Sequence, residues 1–208
     1  MFHILHKMQQ NRRYLTTLGI LLVIIIAFGL YLSMKKPEAI IITENFEEGM
    51  EMWIPDSDVP MDPNRPGQHV NWTISLTQER VYEGSYAAQF ILDGRQDDGT
   101  IWLEQEISLE PNTKYEAEIK FQFWSASESF NQLAYVVGQA SPVDLEEEGD
   151  FADLGAANLV EGWREYTHTS TFITDDDGLA YIGYGVSVVW ETEIVYFIDQ
   201  VEITITPS

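Results

Sequence analysis

The chain has no cysteine among its 208 residues. That excludes a disulfide framework, a thiolate metal site, a cysteine nucleophile and lipoprotein attachment through cysteine. Basic residues are also few, 11 Lys and Arg against 34 Asp and Glu. No acid precedes Glu38, and after it only Arg65, Arg80, Arg95, Lys114, Lys120 and Arg164 are basic. Six bases against 34 acids leave residues 37–208 with a formal charge of −28. Such a field repels nucleic-acid phosphates and anionic lipid head groups, and it suits cations, neutral ligands and solubility. No G-x-S-x-G elbow or phosphate-cradling Gly-rich loop occurs. The four histidines, His3 and His6 near the start, His69 in a loop and His168 in a predicted strand, have no zinc-ligand spacing in the domain.

One long apolar run is present. Leu15–Met34 contains no charged side chain over 20 positions, with Arg12 and Arg13 before it and Lys35 and Lys36 after it. About 20 apolar residues at a rise of about 1.5 Å span a bilayer's hydrocarbon core as a helix. A cleaved signal peptide needs a shorter apolar stretch and a small-residue cleavage site. Ala27-Phe28-Gly29 is a poor one, and the run continues through Leu30, Tyr31 and Leu32. The expectation is an uncleaved signal-anchor: a basic cytoplasmic tail at 1–13, a transmembrane helix at 14–34, a juxtamembrane linker at 35–39 and a folded domain at 40–208. Tyr14 and Tyr31 stand near the ends of the span, where amphipathic rings favour the membrane interface. The positive-inside bias is slight, but a short basic tail stays in the cytoplasm while a long domain crosses. The protein is therefore expected in the cell membrane, single-pass, with its C-terminal domain extracytoplasmic.

Beyond Ala39 no helical periodicity appears. Period-two alternation, β-branched and aromatic residues, and Gly, Pro, Asn and Asp between the runs predict strands. These are Ile40–Phe46, Val70–Thr77, Tyr86–Leu92, Thr100–Leu109, Lys114–Trp124, Gln132–Gly138, Arg164–Ile173, Leu179–Trp190 and Glu193–Ile205. A Pro- and Asp-rich loop precedes the second strand, and a long acidic loop, Gln139–Gly162, follows the sixth. In Lys114–Trp124, Tyr115, Ala117, Ile119, Phe121 and Phe123 share one face, while Glu116, Glu118, Lys120 and Gln122 share the other. That is the pattern of an antiparallel strand with one wet side. About nine strands with turns between them predict an all-β sandwich.

The landmarks in order are Asn45-Phe46-Glu47-Glu48-Gly49 with Trp53 after it, Val81–Ala88, Leu103–Tyr115, Gly162–Tyr166 and Val195–Ile203. Their order and spacing resemble the jelly-roll carbohydrate-binding modules of the galactose-binding-like superfamily, across nearly all of residues 40–206. The resemblance implies a jelly-roll β-sandwich and no catalysis. It also implies a structural calcium ion joining the first and last strands, with Glu47 and Asp199 at the acidic positions and Glu83–Tyr86 supplying further oxygens. Gln200 departs from the pattern, where Asp or Asn is common. Trp53 and Trp163 match structural positions, and the resemblance implies that both are core.

Sugar-binding sandwiches stack pyranose C–H faces on aromatic rings and hydrogen-bond the hydroxyls to neighbouring amides and carboxylates. Trp102 alternates with Glu104 and Glu106, and Trp124 lies in phase with Gln122 and Lys120, so both rings are expected to lean away from the core. Trp102, Trp124, Tyr135, Trp190, Gln122 and Glu104 are the carbohydrate-binding candidates. Glu104 and Glu106 share a strand face, but no cleft or raised pKa is indicated for a glycosidase pair. Asn71-Trp72-Thr73 is a glycosylation sequon. Two readings follow. The first is a membrane-anchored, extracytoplasmic, non-catalytic binding domain for a glycan. The second is an interaction ectodomain of an envelope assembly, with an envelope protein as partner and no sugar site.

Overall fold

The computed structural model describes residues 38–94, 99–126, 134–157, 161–188 and 192–208. The apolar run at 14–34 and the candidate Trp190 lie outside them. One compact unit runs from Ala39 to Ser208. Among the described residues no helix is long and apolar enough to cross a membrane. The strands are β1 (Ile40–Glu44), β2 (Ile54–Asp58), β3 (Trp72–Thr77), β4 (Ala87–Gly94), β5 (Gly99–Ser108), β6 (Lys114–Ser125), β7 (Ala134–Ser141), β8 (Ala152–Ala156), β9 (Gly162–Ile173), β10 (Leu179–Val188) and β11 (Thr192–Pro207).

They form two antiparallel sheets. The six-stranded sheet runs β3-β4-β11-β6-β9, with β1 also paired to β11. The five-stranded sheet runs β2-β5-β10-β7-β8. This is the expected all-β sandwich. The alternation predicted for β6 holds: its Tyr115–Phe123 row is buried, Glu116 and Glu118 are exposed, and Lys120 and Gln122 are half-buried. Between the sheets, the Trp53 and Tyr184 rings meet edge-on at 4.8 Å, and the Phe123 and Tyr196 rings lie 5.1 Å apart. Trp53 is core, as its position implied.

Two strands escape the sequence reading. β2 lies in the Pro- and Asp-rich segment and β8 in the long acidic loop, and both are five-residue edge strands. An edge strand contributes few core side chains, so neither shows a long period-two run.

The last strand is the organising element. From Thr192 to Ile198 β11 pairs with β4, and from Val201 to Ile205 with β1. Between these stretches its register against β6 shifts from Asp199 to Glu202, and Gln200 adopts a φ of +50°. The bulge turns the fully buried Asp199 carboxylate toward the loop between β3 and β4. There the backbone N–H groups of Tyr82 and Glu83 donate to Asp199 Oδ2 at 2.9 and 3.1 Å. Next along the loop, the N–H groups of Ser85 and Tyr86 donate to Glu47 Oε1 at 2.7 and 2.8 Å. Two carboxylates, one early and one late in the chain, thus hold a single loop. Hydrogen bonds to charged groups contribute about 1.5–3 kcal/mol each, and a buried donor left unpaired costs about as much. Asp199→Ala is therefore expected to lower the unfolding free energy by about 2–4 kcal/mol, read as a lower midpoint in urea denaturation of the full chain. Asp199→Asn, which keeps one oxygen acceptor, should lose less.

Candidate functional site

The outward face of the five-stranded sheet is roofed by its own chain. Residues 142–151 leave β7 and cross this face as a strap before entering β8. The Leu145 N–H donates to Glu104 Oε2 on β5 at 3.3 Å, and the Glu148 N–H to Asp58 Oδ2 on β2 at 3.0 Å. In return, the Ser187 hydroxyl on β10 donates to Glu148 Oε1 at 2.9 Å. Asp150 closes the strap's single 3-10 turn by accepting the N–H groups of Glu146 and Glu147. Leu145 is buried, and the Phe151 ring lies 5.0 Å from that of Trp102. Gly183 makes room for this cover: a Cβ there would meet Leu145 Cδ1 at 2.6 Å and Phe151 Cε1 at 2.9 Å.

The strap corrects the expectation for Trp102. The phase was right, since Trp102 points away from the core rows of Ile101 and Leu103. The exposure was wrong, because the ring is 0% exposed beneath Phe151. Its Nε1–H and the nearby Thr100 hydroxyl, both buried, have no hydrogen-bond partner among the described residues. Trp102 is thus the floor under the strap and no open platform.

Glu104 shares this face and is also buried, at 8% exposure. Asp144 in the strap is its acidic neighbour. Burial first, and then Asp144, push its pKa up to about 8, against the pull of the Leu145 N–H; Asp56 adds to the rise. The raised pKa was not expected from the sequence, because the partner is Asp144 and not Glu106.

Beside the strap lies a cavity of about 210 Å³, lined by Tyr135, Val137, Glu148, Phe151, Asp153 and Ser187. Tyr135 pairs with Ser187 across β7 and β10 and with Ala156 on β8. Its hydroxyl has no hydrogen-bond partner among the described residues. A lining of two aromatic rings, two carboxylates and hydroxyls can grip a small hydroxylated ring through both its C–H and its O–H groups.

The remaining candidates stand on the opposite face, the outer side of the six-stranded sheet. Trp124 is half-buried, edge-on to Phe197 at 5.4 Å, with the Arg80 guanidinium 4.8 Å from its ring centre. Its cross-strand partner is Trp163, whose ring meets that of Tyr82 at 5.6 Å. Trp163 is half-buried on the surface and is not core, a correction to its implied role. An adjoining polar cleft of about 430 Å³ includes Lys120, Gln122, Glu165 and Glu202. These groups are engaged with one another: Lys120 Nζ is 3.0 Å from Glu202 Oε1, and Gln122 Nε2 donates to Glu165 Oε2 at 3.4 Å. The structure therefore divides the candidates. Trp102, Glu104 and Tyr135 share one face; Trp124 and Gln122 share the other. Phe151, Asp153, Glu148 and Ser187, which complete the cavity, were not singled out from the sequence. Nothing local in the strap's DLEEEGDF run marks it as packed on a sheet. His168 is half-buried, its pKa lowered by burial, with Nε2 3.4 Å from Gln139 Oε1.

Calcium requires six to eight oxygens turned toward one point. Glu47 Oε1 and both Asp199 oxygens instead receive backbone N–H groups, and Glu83 contributes its own N–H to Asp199. Burial raises the Asp199 pKa while these N–H groups oppose the rise. Among the described residues no three His, Asp or Glu side chains group to hold a metal ion. Glu47 and Asp199, as placed, form a carboxylate-to-amide latch with the β3–β4 loop, to which Glu83 contributes its backbone N–H.

No family model and no curated protein matches the chain. Carbohydrate-binding modules are among the solved structures to which it is similar. One comes from a study of promiscuous specificity in the modules of the β-sandwich superfamily, at a TM-score of 0.48 and 16% identity, covering 76% of this chain. This chain spans 59% of that one's length. Another is the xylan-binding domain CBM22-1 of Paenibacillus barcinonensis Xyn10C, at a TM-score of 0.46 and 14% identity, covering 80% of this chain and 94% of that one. A third is TmCBM61 in complex with β-1,4-galactotriose, at 0.45 and 18% identity, covering 79% and 94%.

The burial difference between the two tryptophans is directly testable. Trp102→Ala should cost about 3–5 kcal/mol, as for large core truncations, and Trp124→Ala about 1 kcal/mol from its edge contacts, compared by urea denaturation.

Proposed function

We propose that residues 40–208 form a non-catalytic carbohydrate-binding domain, held outside the cytoplasm by the apolar segment at 14–34. The observation that carries the reading is the cavity at Tyr135. It combines an aromatic wall of Tyr135 and Phe151 with the Glu148 and Asp153 carboxylates and the Ser187 hydroxyl, the chemistry that a neutral hydroxylated ring needs. Its volume of about 210 Å³ lies below the range of about 300–1,000 Å³ usual for larger organic ligands. That size suits one sugar unit, such as a chain end or a branch. The acidic surroundings favour neutral over anionic sugars. The likeness to carbohydrate-binding modules supports the same reading.

A second reading, a protein-interaction ectodomain, draws on a different observation. Tyr82, at 49% exposure, with Trp163 and Trp124, makes an aromatic patch on the outer face of the six-stranded sheet. Aromatic residues and Arg are enriched in the buried centres of protein interfaces.

One experiment separates them. The full chain in neutral detergent is applied to a broad glycan array, alongside Tyr135→Ala and Trp124→Ala. The carbohydrate reading expects signal that free sugar competes, an affinity loss of tenfold or more in Tyr135→Ala, and little change in Trp124→Ala. A blank array from folded protein overturns it.

A further inference from the structure

The cavity beside the strap is rich in hydrogen-bond acceptors and poor in donors. Glu148 Oε1 accepts the Ser187 hydroxyl at 2.9 Å, and Asp153 Oδ1 accepts the Gly155 N–H at 2.7 Å. Among the described residues, no protein group donates to the second oxygen of either carboxylate. Ser187 gives its one proton to Glu148, so its oxygen remains only as an acceptor. The backbone N–H groups of Glu148 and Phe151 are committed elsewhere, to Asp58 Oδ2 and to the Glu148 carbonyl. The side chains of Val137 and Phe151 offer no polar atom. The Tyr135 hydroxyl is thus the one side-chain donor left in the lining.

A sugar hydroxyl both gives and takes hydrogen bonds, so this lining answers only half of what it brings. An ammonium group has three N–H donors and no acceptor. It complements the free oxygens of Glu148 and Asp153 and the oxygen of Ser187. The charges agree with this. None of the domain's six bases lines the cavity. The ion pairs among the described residues, Arg65 with Asp62 and Lys120 with Glu202, lie elsewhere. Aromatic rings such as those of Tyr135 and Phe151 attract a cation to their faces. Glu148 and Asp153 are both exposed, so an arriving amine keeps part of its water and the desolvation cost stays low.

Within the carbohydrate reading, on which this rests, we infer that the Tyr135 cavity selects a sugar unit carrying a free, protonated amine. The nitrogen sits between Glu148 and Asp153, and the ring's C–H groups pack on the aromatic wall. N-acetylation of the same sugar removes the charge and two of the three N–H donors, and with them the recognised feature. With six bases against 34 acids, the domain's field attracts such a cation and repels sulfated or carboxylated sugars.

Calorimetric titration of the full chain in neutral detergent, at about pH 6 and low ionic strength, tests this. The probes are short oligomers of glucosamine and of galactosamine, each beside its N-acetylated and its unaminated counterpart. One amine form should bind about tenfold or more tighter than both of its neutral counterparts, and high salt should shrink that margin. Asp153→Asn keeps an oxygen for the Gly155 N–H, and Glu148→Gln keeps one for Ser187. Each should remove most of the margin with little change in thermal midpoint, whereas Tyr135→Ala should weaken amine and neutral forms alike. Neutral forms bound as tightly as the amine forms, and lost in Tyr135→Ala, overturn the amine preference and leave the carbohydrate reading standing. A margin that persists unchanged in both carboxylate variants overturns it as well. Folded protein that binds no probe, and no sugar on the array, overturns both.

Discussion

Carboxylates seated on backbone N–H groups hold the loops of this domain against its sheets. Asp199 takes Tyr82 and Glu83, Glu47 takes Ser85 and Tyr86, Glu104 takes Leu145, and Asp58 takes Glu148. In a domain with six bases and 34 acids, few carboxylates can find a cationic partner. Peptide N–H groups at loop positions need acceptors of their own. The one supply meets the other, and in a chain without cysteine it does the work that cross-links do in many exported domains.

The device has a different consequence on each face. On the six-stranded sheet it joins early and late segments at the bulge of β11, where the pairing partner changes from β4 to β1. There Asp199 meets three N–H donors and Glu47 two, and the arrangement is self-contained. On the five-stranded sheet the same chemistry fastens a strap over Trp102, but here one acid also meets another. Glu104 is buried there, and burial with Asp144 raises its pKa. The small cavity at Tyr135 lies at the strap's edge, with Glu148 and Phe151 serving both.

Much of the fold could be read from the chain. The alternation of Tyr115, Ala117, Ile119, Phe121 and Phe123 identified the inward row of β6, and Ile101 and Leu103 did the same for β5. Alternation reports which side of a strand faces away from the core. It does not report what lies on that side. Trp102 and Trp124 have the same phase signature, yet one lies under Phe151 and the other is half-open to solvent beside Arg80. Trp163 matched a structural position and stands at the surface against Tyr82. Short edge strands such as β2 and β8 bury too few side chains to leave a pattern.

The sequence by itself determined the all-β character, the antiparallel pairing and the strongly acidic balance, because these follow from local periodicity and from counting charges. It also set the absence of thiol chemistry. Tertiary structure alone decided that Glu104 meets Asp144, 40 residues later, and that the acidic run 142–151 lies on a sheet face. It alone placed Asp199 against Tyr82 and Glu83. These contacts depend on the relative placement of distant strands and on the bulge in β11. Packing of one segment over another is a property of the assembled sheets, and no residue spacing encodes it.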